Sequence, residues 1–127
     1  MLPGEAKASV PTILQEPVSI ANTADGTGAF VAVPHTEGSL LITQVVGALT
    51  GTVAGTLETA EASNGLNNVA LLPDDGSYFT SVSGANNIQN KVVDARKNKG
   101  YIQWIGTVGT GPAVVTVAVQ GRPKTTT

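Results

Sequence analysis

Short segments that alternate apolar and polar residues recur along the chain, and turn residues separate them. The segment 113-AVVTVAVQ-120 places Val115 and Val117 on one face, because successive side chains of a strand point to opposite sides. Turn signals such as Asn64-Gly65 and Ser83-Gly84 stand between these segments. A period of two with frequent turns is typical of antiparallel sandwiches. We therefore predict an all-β, single-domain antiparallel β-sandwich or jelly roll.

The composition excludes several classes of protein and site. The chain has 127 residues, which is enough for one domain with its own core. The absence of cysteine excludes disulfides and thiolate metal sites. The chain has seven Lys and Arg residues and a net charge of −2. A nucleic-acid-binding face needs more positive charge than this. No run approaches the ~18 apolar residues of a membrane span, and the start lacks the pattern of a signal peptide. We expect neither a nucleic acid nor a membrane as partner.

Two neighbouring segments predict strands in the middle of the sandwich. The segment 39-SLLITQVVGALT-50 begins almost continuously apolar, which favours a central strand. The segment 51-GTVAGTLETAEAS-63 alternates and places Leu57 inward and Glu58 outward. A helix over 57–62 is the competing interpretation, because Glu and Ala favour helices.

The other predicted strands are shorter. The segment 18-VSIANTADGTGAFVAVP-34 predicts a strand, a turn at Asp25-Gly26 and a second strand. Short strands are expected at 68–72 and 78–82, and a further strand begins at residue 88 and ends in a polar turn.

The last two strands, 101–108 and 113–120, are predicted to form a closing hairpin around Gly109-Thr-Gly-Pro. Trp104 has the bulk to reach from one sheet to the other. The predicted core includes Leu57, Trp104, Val115 and Val117. Alternation places Tyr101 on the opposite face, where we expect it to be exposed.

Residues 1–16 are expected to form an extended arm, because Pro3, Pro11 and Pro17 break any helix. An extended arm with apolar side chains has to pack on something, either its own sandwich or a neighbour. The residues assigned to this contact are Leu2, Val10, Pro11, Ile13 and Leu14. The predicted domain boundaries are therefore an arm over 1–16, a sandwich over 17–121 and a short tail over 122–127.

Residues that could carry enzyme chemistry are few. His35 is the single histidine, and no serine stands in a G-x-S-x-G elbow. The glycines of 106-GTVGTG-111 lead through Pro112 into a strand, whereas a phosphate-binding loop leads into a helix. We predict no enzymatic activity and no cofactor.

Two charged turns were weighed as binding sites. Asp74-Asp75-Gly76 lacks the ligand spacing of a calcium loop, so we interpret it as a turn and predict no metal site. Arg96 and Lys97 belong to the basic run 96-RKNK-99, which is a solvated turn in the simpler interpretation. Together with Tyr101 they remain candidate surface contacts.

Three segments carry a resemblance to a known family. They are 52-TVAGTLETAEAS-63, 75-DGSYFTSVSG-84 and 91-KVVDARKNKGYIQWIGTVGTGPAVVTVAVQGRPK-124. Their order of V-x-G-x-L-E, D-G-x-x-F-T, V-D-x-R, Y-I-x-W, G-T-V-x-G and a final alternating strand resembles the jelly-roll cement, or decoration, proteins of tailed bacteriophages. The likeness covers about the C-terminal two-thirds of the chain, and the arm matches nothing specific.

The resemblance implies a structural protein of the virion. Such proteins bind the outer surface of the shell, contact the major capsid protein and stabilise the particle. They are commonly dimers or trimers, so the chain itself is an expected partner. The implied location is the outer capsid surface, after synthesis in the host cytoplasm. The alternatives are another phage component, such as a head fibre base or tail protein, and a carbohydrate-binding β-sandwich module, which requires exposed aromatic side chains.

Overall fold

The computed structural model describes residues 12–20, 25–27, 29–33, 36–109 and 112–123. Within these ranges the chain forms two antiparallel sheets and no α-helix. Sheet 1 has four strands in the order β1-β9-β4-β7. Their bounds are Thr12–Ile20 for β1, Ala113–Pro123 for β9, Thr36–Leu49 for β4 and Asn87–Asp94 for β7.

Sheet 2 is built around β8, which pairs with β5 on one side and with β2 and β3 on the other. A short β6 continues the sheet beyond β5. The bounds are Asp25–Thr27 for β2, Val31–Ala32 for β3, Val53–Ala60 for β5, Val69–Ala70 for β6 and Tyr101–Val108 for β8. The expectation of an all-β sandwich is thereby confirmed at the level of two packed antiparallel sheets.

The predicted closing hairpin is wrong, because β8 and β9 lie in different sheets. The chain crosses from sheet 1 to sheet 2 between β4 and β5, and it crosses back between β8 and β9. The two crossings run side by side: Thr50 N donates to Pro112 O at 3.2 Å, and Gly109 N donates to Thr52 O at 3.0 Å. The strands β4–β5 and β8–β9 thus form one long antiparallel ribbon that folds over at this end.

The two segments predicted to lie in the middle of the sheets are confirmed as strands. β4 lies between β9 and β7 and pairs with both. β5 alternates as predicted, with Leu57 fully buried and Glu58 partly exposed. The competing helix over 57–62 does not form, because the whole of β5, Val53–Ala60, pairs with β8.

Several shorter elements differ from the prediction. Asp25-Gly26 lies inside β2 and pairs with Gly106 and Thr107, so it is not a hairpin turn. Of the strand expected over 78–82, only Val82 makes a bridge, to Val53 of β5. The polar turn after β7 is a 3-10 helical turn over Ala95–Lys97. Local turn residues therefore mark breaks in the strands more reliably than they predict which strands pair.

The core lies between the sheets, and both contribute to it. Leu57, Trp104, Val115 and Val117, the residues assigned to the core from sequence, are all fully buried. Other fully buried side chains are Leu40, Ile42, Val46, Val53, Leu71, Val93 and Ile102. Burial of this many aliphatic side chains supplies the main free energy of folding.

The Trp104 indole lies over a pair of glycines that oppose each other across β5 and β8, Gly55 and Gly106. A Cβ on Gly106 would collide with the six-membered ring of Trp104, and one on Gly55 would collide with Gln44 Oε1. The indole Nε1 donates a hydrogen bond of 3.0 Å to Gln44 Oε1 from sheet 1. This bond joins the two sheets through fully buried polar groups.

The structure changes the expected boundaries of the N-terminal segment. Thr12 pairs with Val119 and Ile13 pairs with Ala118, so β1 belongs to sheet 1 of its own chain. The expected arm over 1–16 is therefore corrected: residues 12–16 belong to a strand. β9 likewise runs to Pro123, two residues into the expected tail. Residues 1–11 lie outside the described residues.

Candidate interaction surface

An aliphatic patch, defined as Leu41, Val45, Ile88 and Val92, lies on the outer face of sheet 1. Leu41 opposes Val92 and Val45 opposes Ile88 across β4 and β7. Ile88 is 65% exposed, the largest fraction among the large hydrophobic side chains that the structure describes. Clusters of exposed aliphatic side chains on a soluble domain are typical of association surfaces.

The patch follows from the sequence of β4, in which both faces are apolar. Leu40, Ile42 and Val46 point into the core, so alternation turns Leu41 and Val45 outward. The apolar run predicts a central strand, and β4 is central in sheet 1. The exposure of its outward-facing residues was not predicted. The available signal was that a strand apolar on both faces needs cover on both faces, and nothing in the described part of the chain covers the outer one.

Around the aliphatic patch, the outward side chains that the structure describes carry no charge over 41–45 of β4 and 88–92 of β7, and the charged Asp94 lies beyond them at the end of β7, opposite Ser39. Between the two aliphatic pairs, Thr43 Oγ1 donates to Asn90 Oδ1 at 2.6 Å. The outward residues of β9 at this level are Val114, Thr116 and Ala118, all partly exposed. A face without charge is inexpensive to remove from water, because no ion loses its hydration.

A second group of exposed aliphatic side chains lies in and around β6, in the part of the chain between β5 and β7. Leu66, Val69 and Leu72 are each more than 40% exposed. Lys97 Nζ donates to Leu72 O at 3.1 Å, and Lys99 Nζ donates to Asn67 O at 2.9 Å. These lysines are engaged by backbone carbonyls of the loop, so this group is a smaller and more polar surface than the aliphatic patch.

The basic turn is partly neutralised by its own residues. Arg96 forms a bidentate contact with Asp94, in which Nη2 donates to Oδ2 at 2.7 Å and Nε donates to Oδ1 at 3.2 Å. The hydrogen bonds from the Arg96 side chain and backbone lower the pKa of Asp94 from 3.8 to about 2. Arg96 and Lys97 are exposed, but they do not form an unopposed positive cluster.

The acidic turn is likewise satisfied internally. Asp75 accepts a hydrogen bond of 2.7 Å from Lys91 Nζ, which holds the pKa of that carboxyl below its usual value. Asp74 Oδ1 accepts from Asp94 N at 2.9 Å. Among the residues that the structure describes, no group of three His, Cys, Asp or Glu side chains is placed to hold a metal ion.

The aromatic side chains do not form an exposed platform. Trp104 and Phe79 are buried, while Phe30, Tyr78 and Tyr101 are half-buried. Tyr101 was expected to be exposed, and its position at the start of β8, between Ala32 and Ala60, explains the difference. A sugar-binding face needs stacking surfaces that these side chains do not present.

The residues assigned to partner contacts in the N-terminal segment divide into two groups. Leu2, Val10 and Pro11 lie outside the described residues. Ile13 and Leu14 lie in β1, where Ile13 pairs with Ala118 of the same chain. The expected contact of Ile13 and Leu14 with a neighbouring subunit therefore has no support from the backbone pairing.

Comparison with known proteins gives no relative. The chain matches no known protein family, no curated protein and no solved structure. Within the described ranges, no helix has the length and apolar character needed to cross a bilayer.

Proposed function

We propose that the protein is a non-enzymatic capsid decoration protein that binds the outer surface of a tailed-bacteriophage shell and stabilises it. The major capsid protein is its partner in this proposal, and the outer capsid surface is its location. The family resemblance of 52–63, 75–84 and 91–124 motivates the proposal. The observation that carries it is the aliphatic patch on the outer face of sheet 1.

The residues that carry the resemblance have structural roles, as a pattern of strands and turns requires. In the V-x-G-x-L-E segment, Gly55 is one member of the glycine pair and Leu57 is a core residue. Trp104 of the Y-I-x-W segment covers that glycine pair. Asp94 of the V-D-x-R segment caps the 3-10 turn and pairs with Arg96. The pattern therefore specifies a scaffold, which fits a protein that acts by association.

A jelly roll is the finer fold that we propose for this sandwich. Its support is the antiparallel ribbon of β4–β5 against β8–β9, which folds over so that each half enters a different sheet. Folding such a ribbon over itself is the topological basis of jelly rolls. The N-terminal arm remains part of the proposal only for residues 1–11.

Binding in this proposal removes the aliphatic patch and its uncharged surroundings from water. The free energy comes from apolar burial, without ion pairs that would need to lose their hydration. Many copies on one shell would each join neighbouring capsid subunits, so small contributions per copy add up over the particle. Ligands that bind only the assembled state raise its stability by mass action.

The test is co-sedimentation of the purified chain with shells of the encoding phage that lack decoration. We expect saturable binding that Leu41→Lys reduces at least tenfold, because the substitution places a charge in the contact. Thr107→Lys is the matched control, since Thr107 is exposed on β8 of sheet 2, and it should bind normally. Failure of the unchanged chain to sediment with shells would contradict the proposal.

The two alternatives remain weaker. A head fibre base or tail protein would use the same patch against a different virion part, and the same experiment with tails or fibres separates it from decoration. The carbohydrate-binding module is disfavoured, because none of the aromatic side chains is exposed.

A further inference from the structure

The edge strands of the two sheets differ in how they are protected against pairing with another chain. β2 and β6, at the edges of sheet 2, are three and two residues long. β1, at one edge of sheet 1, contains Pro17 and has two shifts in register against β9. Short strands, proline and irregular register are common means of blocking unwanted strand pairing.

The edge strand β7 lacks all of these features. It is eight residues long, contains no proline and pairs with β4 in continuous register. Its first four residues, 87-NIQN-90, carry no charge. Among the edges that the structure describes, β7 is therefore the one best suited to accept another strand.

The directions of the backbone groups of β7 follow from the hydrogen bonds at its C-terminal end. Val92 O accepts from Asp74 N at 2.8 Å, and Asp94 N donates to Asp74 Oδ1 at 2.9 Å. The backbone groups of Val92 and Asp94 thus point away from β4. Because these directions alternate along a strand, those of Ile88 and Asn90 also point away from β4, and they have no hydrogen-bond partner among the described residues.

We propose that β7 pairs antiparallel with β7 of a second copy of this chain, about a two-fold axis at Gln89. Ile88 of each copy then opposes Asn90 of the other. Directly opposed residues of this type exchange two backbone hydrogen bonds, so the two pairs make four. The two copies of sheet 1 become one continuous eight-stranded sheet.

The side chains around the axis suit this pairing. The two Ile88 side chains meet diagonally on the outer face, within the reach of long side chains. Each is flanked by Val45 of its own chain, so the two aliphatic patches join into one stripe. Asn87 would oppose Lys91 of the other copy, and Lys91 is already paired with Asp75 at 2.7 Å. No two like charges oppose each other.

The length of the open edge favours a second copy over a strand from another protein. Asp74 occupies the carbonyl of Val92 and the N–H of Asp94, so the open part of the edge lies before Val92. A two-fold axis at Gln89 uses the outward groups of both Ile88 and Asn90 from each copy. A longer foreign strand would run into the segment around Asp74 before adding further hydrogen bonds.

The area of the outer face also favours pairing. Strands about 4.8 Å apart, with about 3.4 Å per residue, give the described face of one copy roughly 300 Å². Stable interfaces bury about 800 Å² on each partner. Two paired copies double the face to roughly 600 Å². This consequence for shell binding rests on the proposed function, whereas the pairing itself is a property of the isolated chain.

Sedimentation velocity of the full chain over a hundredfold range of concentration measures the pairing. We expect a monomer–dimer equilibrium in which Ile88→Lys weakens the dimer at least tenfold, because two lysines would meet at the axis. Leu41→Lys is the matched control on the same face, one strand away from the edge, and it should leave dimerisation unchanged. A chain that stays monomeric, or a dimer that Leu41→Lys weakens as much as Ile88→Lys, overturns the proposal.

Cross-linking locates the axis independently. The chain has no cysteine, so Ile88→Cys introduces a single thiol at an exposed position. A bismaleimide with a span of about 10 Å should join two copies through this thiol, since diagonal neighbours across paired strands lie ~7–8 Å apart. The two Leu41 positions would lie more than about 20 Å apart by strand spacing and rise, so Leu41→Cys should give no covalent dimer. Equal cross-linking of both variants, or of neither, overturns the pairing.

The two proposals fail separately in these experiments. If the chain dimerises through β7 but does not bind shells, the proposed function is wrong and the proposed pairing stands. If the chain binds shells as a monomer, the proposed pairing is wrong and the proposed function stands.

Discussion

Gly55 and Gly106 oppose each other beneath the Trp104 indole, and the packing of both sheets depends on this arrangement. The sequence indicated that Trp104 would reach across the core, because no other side chain has its bulk. It did not reveal the role of the two glycines or of Gln44. A glycine can occur in a strand for several structural reasons, and a glutamine in an apolar run resembles a surface residue. Only the pairing of β5 with β8 brings these residues together.

Gly106→Ala should destabilise the protein by about 1–3 kcal/mol, because the added methyl group would overlap the indole in a close-packed core. Chemical denaturation followed by circular dichroism measures the loss. Gly84→Ala is the control: no atom lies within 4 Å of a Cβ at that position, so it should be neutral or slightly stabilising. Equal stability of Gly106→Ala and the unchanged chain would refute the packing described for Trp104.

The hydrogen bond between Trp104 Nε1 and Gln44 Oε1 should appear as an energetic coupling between the two residues. Trp104→Phe leaves the buried Gln44 Oε1 without a donor, and Gln44→Leu leaves the indole N–H without an acceptor. Gln44→Leu also removes Gln44 Nε2, which is buried without a partner. Each single change leaves one member of the bond unpaired, and the double change leaves neither. A double-mutant cycle should give a coupling of about 1 kcal/mol. Additive effects would mean that the bond contributes nothing.

At the scale of single elements, the alternation of apolar residues predicted the strands well, while their pairing was harder to infer. β4, β5, β8 and β9 lie close to where the period of two placed them. The Gly109-Thr-Gly-Pro turn was interpreted as a hairpin, but the chain there crosses between sheets. Glycine and proline permit either path, and the choice depends on the neighbouring crossing at Thr50–Thr52, which is distant in sequence.

The 3-10 turn after β7 should make the stability of the protein depend on pH in the acid range. Arg96 lowers the pKa of Asp94 to about 2 in the folded protein, against 3.8 for the ordinary carboxyl. A lowered carboxyl pKa gives stability that is fully present above pH 4 and is lost as the pH falls toward 2. Asp94→Asn should therefore reduce the drop in urea midpoint between pH 5 and pH 2. Glu61→Gln, whose carboxylate accepts a hydrogen bond from the neutral Asn67, serves as control and should follow the unchanged chain. An identical acid profile for Asp94→Asn would contradict the assigned role of the Arg96 contact.

At the scale of the whole molecule, the sequence predicts a role in association, and the structure adds a candidate surface for it. The sequence drew attention to Arg96, Lys97 and Tyr101, which are paired, solvated or half-buried. The aliphatic patch was missed because its members come from two strands, and a single sequence does not show which strands are neighbours. Ile88 and Val92 are recognised as parts of one patch only once β7 is known to pair with β4, which carries Leu41 and Val45.

We predict an orientation for the bound protein, which an electron cryomicroscopy reconstruction of shells incubated with the chain would reveal. We expect added density on the outer surface, fitted by the sandwich with sheet 1 and its aliphatic patch toward the shell and sheet 2 toward solvent. Shells without added density, or density in which sheet 2 faces the shell, would contradict the central claim that this protein decorates a capsid through the outer face of sheet 1.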